Sequence, residues 1–129
     1  MRFRLPPAGV ISFVAKIFYV HWDEAEAKAL AASLQSAGHQ VRLHFKMGAN
    51  PALGDFAADA LVVSLDRLPS HGKQMAEWFR KAKARRKRPI IFVGGLPEKV
   101  SLTRGFFPNS VFCEHSQAAE AVGRLFSSI

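Results

Sequence analysis

Short apolar runs of β-forming residues alternate along this chain with longer segments in which apolar residues recur every three or four positions. Consecutive parallel strands need a crossover connection, usually a helix, so this alternation predicts a parallel sheet with helices on both faces. Right-handed crossovers leave few topologies, of which the strand order 2-1-3-4-5 is the commonest at this length. We therefore predict an α/β three-layer sandwich around a five-stranded sheet. The predicted strands are Ile17–Val20, Val41–Phe45, Leu61–Val63, Ile90–Val93 and Val111–Cys113.

Capping and breaking signals predict where the helices between these strands begin and end. Asp23 with Glu26 three residues later forms a capping-box pattern, and Gly38 is typical of the residue after a helix C-terminus. The helix that carries Phe79 on its apolar face is predicted to end at Pro89. The remaining signals are a helix start at Asn50-Pro51, a loop over residues 69–72, a helix start at Pro97-Glu98 and a helix cap at Ser116.

The length of 129 residues and the hydrophobic fraction of 49% are those of one folded unit with its own core. We predict one domain over residues 15–129, preceded by an N-terminal extension over residues 1–14. The only cysteine, Cys113, excludes an intramolecular disulfide and favours a reducing cytoplasm. The longest apolar stretch, Val10–Val20, is shorter than the roughly 20 residues that span a bilayer, which predicts no membrane segment.

The net charge of +8 is concentrated in one place, because seven cationic residues fall within residues 80–88. Such a run can bind the phosphates of a nucleic acid or of another polyanion. It can equally offset the dipole at the C-terminus of the preceding helix, which is a structural role. Both interpretations stay open, and we expect exposed side chains and weak nucleic-acid binding. The predicted polyanion patch comprises Lys81, Lys83, Arg85, Arg86, Lys87 and Arg88.

Several segments resemble the receiver domains of response regulators. The segments Ile17–Ala27 and Leu34–Val41 are similar to the opening of these domains, and Asp59–Pro69 is similar to their phosphorylation strand and loop. The segments Arg67–Lys73 and Pro89–Val100 are also similar to small bacterial receiver-like proteins of uncharacterised function. The resemblance spans residues 15–128 and implies a flavodoxin-like fold and a role in bacterial signal transduction.

The resemblance also implies a set of functional residues that this sequence does not keep. Receivers carry two acidic residues after the first strand that bind Mg²⁺, an acceptor Asp that ends the third, a Thr or Ser that ends the fourth and a Lys that ends the fifth. With Pro69 as the anchor, the acceptor position holds Leu65, and we expect no phosphoacceptor and no catalytic residue. The acidic pair falls on His21 and Trp22, the hydroxyl on Gly94 and the Lys on Glu114-His115.

Asp66 follows the acceptor position by one residue and is the nearest carboxylate that could replace it. Side chains alternate between the two faces of a strand, so we expect the Asp66 carboxylate to point away from the acceptor pocket. Leu and Trp side chains also cannot coordinate Mg²⁺, which prefers oxygen ligands. The sequence therefore predicts a pseudo-receiver that takes no phosphoryl group.

Ligands of open parallel sheets bind beyond the carboxyl ends of the strands, where the strand order reverses. We consider two interpretations of this edge: a pocket for a small ligand or anion, or a disused site filled by Trp22 and Leu65. The histidines at this edge raise a metal hypothesis, but their spacing matches no closed zinc pattern, so we predict no metal and no cofactor. The predicted edge residues are His21, Trp22, Asp66, Arg67, Ser70, His71, Gly94, Gly95 and His115.

Three functional hypotheses follow from these patterns. The first is a cytoplasmic, non-phosphorylatable regulatory module that contacts a protein partner. A second copy of the chain is one candidate for that partner. The second is nucleic-acid or polyanion binding through the basic run, and the third is small-ligand or metal sensing at the sheet edge. The sequence contains neither a Ser/His/Asp pattern nor a phosphate-binding loop, so we predict that it is not an enzyme.

Overall fold

The computed structural model describes residues 15–44, 57–66 and 69–126, and for residues 69–73, 84 and 126 it describes the backbone alone. The predicted extension over residues 1–14, the helix start at Asn50-Pro51 and Arg67 lie outside these residues. Within the described ranges, no helix is long and apolar enough to cross a membrane. The elements are β1 Lys16–Val20, α1 Glu24–Ser36, β2 Gln40–His44, β3 Ala60–Ser64, α2 Pro69–Lys81, β4 Ile90–Val93, α3 Pro97–Phe106, β5 Val111–Cys113 and α4 Ala118–Phe126.

The five strands form one parallel sheet in the order β2-β1-β3-β4-β5, which confirms the predicted topology. Strand β3 lies at the centre, and all five of its residues are buried. Its pairing places Val63 opposite Val20 of β1 and Ser64 opposite Val93 of β4. The carboxyl ends of these three strands therefore lie level with one another, and the residues that follow them meet at one edge.

The side chains of the sheet alternate between two apolar layers. Ile17 and Tyr19 of β1 face α1 and α4, whereas Phe18 and Val20 face α2 and α3. A strand that is buried on both faces has a continuous apolar sequence. This pattern is why the sequence predicted β3 and β4 as strands. The helices contribute Ala27, Leu30, Ala31, Leu34, Ala118 and Val122 to the first layer and Ala76 and Phe79 to the second.

Helix α1 begins and ends where its capping signals predict. The Asp23 side chain accepts a hydrogen bond from the Glu26 N–H at 2.9 Å, which satisfies one of the free N–H groups of the first turn. At the other end the chain leaves the helix through Gly38, whose φ of +99° lies in the left-handed region that favours glycine. Both signals are confirmed, and they fix the helix that borders the site described below.

Helix α2 begins and ends earlier than predicted. We expected residues 69–72 to form a loop, but they form the first turn of the helix. Pro69 can begin a helix because its missing N–H breaks no helical hydrogen bond at that position. The helix ends at Lys81 rather than at Pro89, and Lys83–Arg85 forms a 3-10 turn. The basic run therefore lies mostly in this turn and the loop beyond it.

The last helix also starts differently from the prediction, because Glu114 rather than Ser116 provides the cap. A 3-10 turn, His115–Gln117, precedes α4. The Glu114 N–H donates to the Gln117 side chain at 2.9 Å, and the Glu114 side chain accepts from the Gln117 N–H. This reciprocal capping box satisfies two N–H groups and places His115 at the start of the turn, next to the sheet edge.

Replacing Phe79 by alanine should lower the free energy of unfolding by about 3–5 kcal/mol, because the ring is fully buried between α2 and the sheet. Urea denaturation followed by circular dichroism measures this change. The control is Leu102→Ala on α3: Leu102 is 62% exposed, and its loss should cost about 0.5 kcal/mol or less. Equal losses in the two variants would contradict the packing of α2 described above.

Candidate functional site

The sheet hydrogen bonds continue for one residue beyond β3 and β4. The Leu65 N–H donates to the Val93 carbonyl at 2.9 Å, and the Gly94 N–H donates to the Cys113 carbonyl at 3.0 Å. The sheet hydrogen bonding therefore reaches Leu65 and Gly94, and the chain turns away from the sheet at Gly94, whose φ is +70°. Leu65 is fully buried in the layer beneath α2 and α3, so its side chain contributes nothing polar to the edge.

Asp66 is the first residue after this register ends, and its carboxylate is held from two sides. One oxygen accepts a hydrogen bond from the Gly95 N–H at 2.8 Å, and the other lies 2.5 Å from Nε2 of His115. The Asp66 N–H donates to Oγ of Ser64 at 3.1 Å, which fixes the backbone of the turn. The carboxylate thus points to the face opposite Leu65, as alternation requires, and on that face it lies in a pocket.

His21 forms the buried part of the same cluster. It follows β1 directly, it is 1% exposed, and Nδ1 of its ring accepts a hydrogen bond from the Asp23 N–H at 3.2 Å. Its ring lies with its centre 5.6 Å from that of His115 and rests edge-on against Tyr19. Nε2 lies 3.2 Å from the nearest Glu26 carboxylate oxygen without the alignment of a hydrogen bond. A buried imidazole nitrogen thus remains available at the floor of the pocket.

Burial and hydrogen bonding shift the pKa values of buried His21 and partly buried Asp66 in defined directions. Burial lowers the pKa of His21, and the neighbouring Glu26 carboxylate offsets only part of this effect. Burial would raise the pKa of Asp66, but the hydrogen bonds from His115 and the Gly95 N–H outweigh it and hold the pKa below its ordinary value. At neutral pH the pocket floor therefore combines an ionised carboxylate with a neutral, buried imidazole.

The cluster opens into a cavity of about 500 Å³ between α1 and the turn that precedes α4. The sheet edge supplies its polar floor, and one face of α1 supplies a wall of mixed character. The cavity is open to solvent, which leaves room for a small ligand above the floor. The lining residues are His21, Glu26, Ala29, Leu30, Ser33, Asp66, His115 and Ser116.

The structure brings together some of the predicted edge residues and separates others. His21, Asp66 and His115 line the cavity, and Gly95 holds the Asp66 carboxylate. Trp22 lies instead against the layer of α2 and stacks edge-on with a ring of β2, so it does not fill the pocket. Of Ser70 and His71 only the backbone is described, within the first turn of α2.

The wall formed by α1 was missed by the sequence analysis. Glu26, Leu30 and Ser33 lie three and four residues apart, so they share one face of the helix and together reach the cavity. Glu26 entered the prediction only as part of the capping-box pattern at the start of α1. Spacing along α1 would have predicted this wall once the edge above β1 was chosen as the site.

Gly94 is required by the close packing of the cluster. Its φ is +70°, and a Cβ at this position would lie 2.6 Å from Nε2 of His115 and 2.8 Å from both carboxylate oxygens of Asp66. Real Cβ atoms do not approach other atoms so closely, so any side chain here would displace the Asp66–His115 pair. Glycine is therefore the one residue type that this arrangement accepts at position 94.

The basic run lies at the opposite end of the sheet, before the start of β4, and two of its members, Arg80 and Arg85, are only partly exposed. The Arg85 guanidinium lies 4.5 Å from the centre of the Trp78 ring, and its Nε–H donates to the Phe79 carbonyl at 2.9 Å. The expectation that all of these side chains are exposed is therefore wrong for Arg85, because it packs on α2. Lys81 is exposed, and Lys83, Arg86, Lys87 and Arg88 line a surface cavity of about 380 Å³.

Comparison with solved structures shows which fold this is. The chain is 15% identical to the Vibrio cholerae chemotaxis response regulator CheY4, over 88% of this chain and 100% of that chain, with a TM-score of 0.63. The bacteriophytochrome response regulator RtBRR matches with 15% identity over 91% of this chain and 81% of that chain, with a TM-score of 0.66. The phosphorylated cyanobacterial phytochrome response regulator RcpA matches with 13% identity over 88% of this chain and 91% of that chain, with a TM-score of 0.57.

No family model and no curated protein matches the chain. At the identities found, the structural likeness shows the fold alone. It is the flavodoxin-like fold of receiver domains, which confirms the predicted architecture.

Substituting Gly94 by alanine should cost more stability than the same change at Gly38. Both residues have positive φ, and this strain alone should cost about 1–2 kcal/mol at Gly38, where nothing lies within 4 Å of an added Cβ. At Gly94 the clash with Asp66 and His115 should add about 1–3 kcal/mol. Chemical denaturation measures both variants. The same cost at the two positions would mean that the Asp66–His115 pair does not lie against Gly94.

Proposed function

We propose that this chain is a receiver-like regulatory module of a bacterial cytoplasm, which takes no phosphoryl group and acts through contacts with a protein partner. The receiver-type fold is the premise. The observation that carries the proposal is Leu65, which stands where the resemblance puts the acceptor Asp. Leu65 is fully buried beneath α2 and α3 and offers no oxygen to a phosphoryl donor.

The residues around Leu65 support the same conclusion. Two acidic residues would be needed after β1 to hold Mg²⁺, and His21 and Trp22 stand there instead. Mg²⁺ prefers oxygen ligands in octahedral geometry, which an imidazole and an indole do not supply. The carboxylate that is present at the edge, that of Asp66, is engaged by His115 and by the Gly95 N–H. It is therefore occupied on both oxygens and faces away from the acceptor position.

The proposed partner contact is supported by large apolar side chains on and beside α3 that are more than half exposed. Leu102 and Phe106 lie one turn apart on this helix and are 62% and 55% exposed, and Leu96 immediately before it is also exposed. Adjacent large apolar side chains on a surface are typical of protein–protein contacts. A second copy of this chain is one partner that would bury them.

Incubation with acetyl phosphate and Mg²⁺ should leave the intact mass of the protein unchanged, because the acceptor position has no carboxylate. Beryllofluoride with Mg²⁺ should likewise leave its amide NMR spectrum unchanged. A phosphorylatable receiver domain treated in parallel serves as the positive control. A stoichiometric phosphoryl adduct on Asp66, detected by mass spectrometry of peptides, would refute the proposal.

Polyanion binding is a second candidate function, favoured by the cluster that lines the surface cavity before β4. Lys83, Arg86 and Lys87 are exposed, and Arg88 lies 3.9 Å from the nearest Asp59 oxygen while remaining half exposed. The single Asp59 carboxylate near Arg88 does not offset the positive charge of the four cations. Four cations around one concavity can follow a phosphate backbone without reading its sequence.

Replacing Lys83, Arg86, Lys87 and Arg88 by serine should abolish retention on heparin or duplex DNA at low salt while leaving the melting temperature nearly unchanged. In the wild type, log affinity should fall against log salt with a slope of about −0.9 for each phosphate neutralised. Arg85 is kept in this variant, because Arg85→Ser should destabilise the fold through the loss of its packing on Trp78. Wild-type protein that passes through both columns unretained at low salt would exclude this function.

A further inference from the structure

The floor of the cavity gathers metal-ligand atoms from three separate parts of the chain. His21 follows β1, Asp66 follows β3 and His115 follows β5, so the parallel sheet brings together residues that are far apart in sequence. One ligand atom from each of the three lies within 4.8 Å of the others. Two imidazoles and a carboxylate are the donor set that binds Zn²⁺ and related divalent ions in many proteins.

A second observation marks this cluster as a binding place rather than a closed structural contact. His21 is 1% exposed, and its Nε2 is a buried atom with no hydrogen-bond partner. Buried polar side-chain atoms are nearly always hydrogen-bonded, so a buried nitrogen without an aligned hydrogen bond, on a residue that lines a cavity, indicates a place for a ligand. The Glu26 carboxylate at 3.2 Å adds negative charge beside the same nitrogen.

We infer that His21, Asp66 and His115 bind a divalent transition-metal ion, Zn²⁺ in the first place, through two imidazole nitrogens and one carboxylate oxygen. The ligand set differs from the all-oxygen Mg²⁺ site of receiver domains, because imidazole favours Zn²⁺, Co²⁺ or Ni²⁺ over Mg²⁺. Three protein ligands leave a fourth position, which opens into the cavity of about 500 Å³. The site goes beyond the proposed function and does not depend on it.

The three ligand atoms lie within 4.8 Å of one another and need side-chain movements to reach the spacing that the ion requires. Zinc bonds of about 2.0–2.1 Å at tetrahedral angles separate two ligand atoms by about 3.3 Å. His115 Nε2 and Asp66 Oδ2 lie 2.5 Å apart, so they must separate by about 0.8 Å to admit the ion between them. Both side chains are partly exposed at the rim of the cavity, where such a movement is cheap. The ion takes the place of the hydrogen between His115 Nε2 and Asp66, and that hydrogen moves to Nδ1 of the His115 ring or is released to solvent.

Binding also changes the hydrogen bond at the buried ligand. Nδ1 of His21 accepts from the Asp23 N–H, so the hydrogen of the neutral ring is on Nε2. Ligation through Nε2 moves that hydrogen to Nδ1, and the contact with the Asp23 N–H must then open. Asp23 caps α1, so metal binding acts directly on the first turn of the helix that forms the cavity wall.

Titration of the tag-free, EDTA-treated full chain with ZnCl₂ in a calorimeter tests the site. We expect saturable binding of one ion per chain, and with CoCl₂ the visible absorption of a tetrahedral site. Asp66→Asn and His115→Gln should each weaken binding at least about tenfold. The matched control is His44→Gln, which removes an imidazole at the end of β2 outside the cluster and should leave the affinity unchanged.

A readout on the wild type keeps the test decisive if a variant fails to fold. On addition of ZnCl₂, the ring nitrogen resonances of His21 and His115 and the amide resonance of Asp23 should shift together, with those of His39 and His44 unmoved. Absence of saturable binding, equal affinity in Asp66→Asn and His115→Gln, or shifts confined to other histidines would overturn the proposal. Acetyl phosphate labelling tests the proposed function separately, so failure of one leaves the other intact.

Discussion

The parallel pairing of β3 between β1 and β4 is the constraint on which the rest of this molecule depends. Because Val63 pairs with Val20 and Ser64 pairs with Val93, the three central strands end at the same level. Every side chain that follows them is then delivered to one edge, whatever its position in the sequence. The helices need only cover the two apolar layers, and α1 does so while also presenting one face to this edge. The cavity is thus a direct product of strand register.

At this edge, consecutive residues of the chain point to opposite faces of the sheet. Leu65 and Asp66 follow one another, yet the first side chain closes the layer beneath α2 and the second faces the cavity on the α1 side. Neighbouring residues at the end of β3 therefore serve opposite faces of the sheet, one apolar and one polar. The positive φ of Gly94 and Gly95 lets the backbone pass close to the Asp66 carboxylate.

The sequence was sufficient for the sheet and insufficient for the details of the site. Continuous apolar runs revealed β3 and β4, and the crossover rule ordered the strands, since both depend on burial averaged over several residues. The predictions of helix boundaries were wrong where one local signal fits two structures. Pro69 is compatible with a loop or with the start of a helix, and Ser116 and Glu114 are both possible helix caps, of which Glu114 is the one used. The topology rule selected His21, Asp66 and His115 as neighbours.

The contacts among those residues could not be read from the pattern. The Asp66–His115 pair depends on which face of the sheet the cavity occupies, and this follows from how α1 and the turn before α4 pack. The packing of Arg85, at the opposite end of the sheet, could not be predicted for a similar reason. It lies on Trp78 because α2 ends at Lys81, earlier than the sequence indicated. Side-chain pairs between distant segments are decided by tertiary packing, on which sequence spacing carries little information.

The separation of charge along the strands gives the molecule a direction. Cations of the basic run collect before β4, while the carboxylates of Glu26 and Asp66 lie beyond the opposite ends of the strands. Among the described residues, these two groups of opposite charge therefore lie at opposite ends of the strands. Near any strongly negative surface, the field would rotate the molecule so that the basic end leads. The mouth of the cavity would then face the bulk solution, where a small ligand could enter and leave while the protein stays oriented.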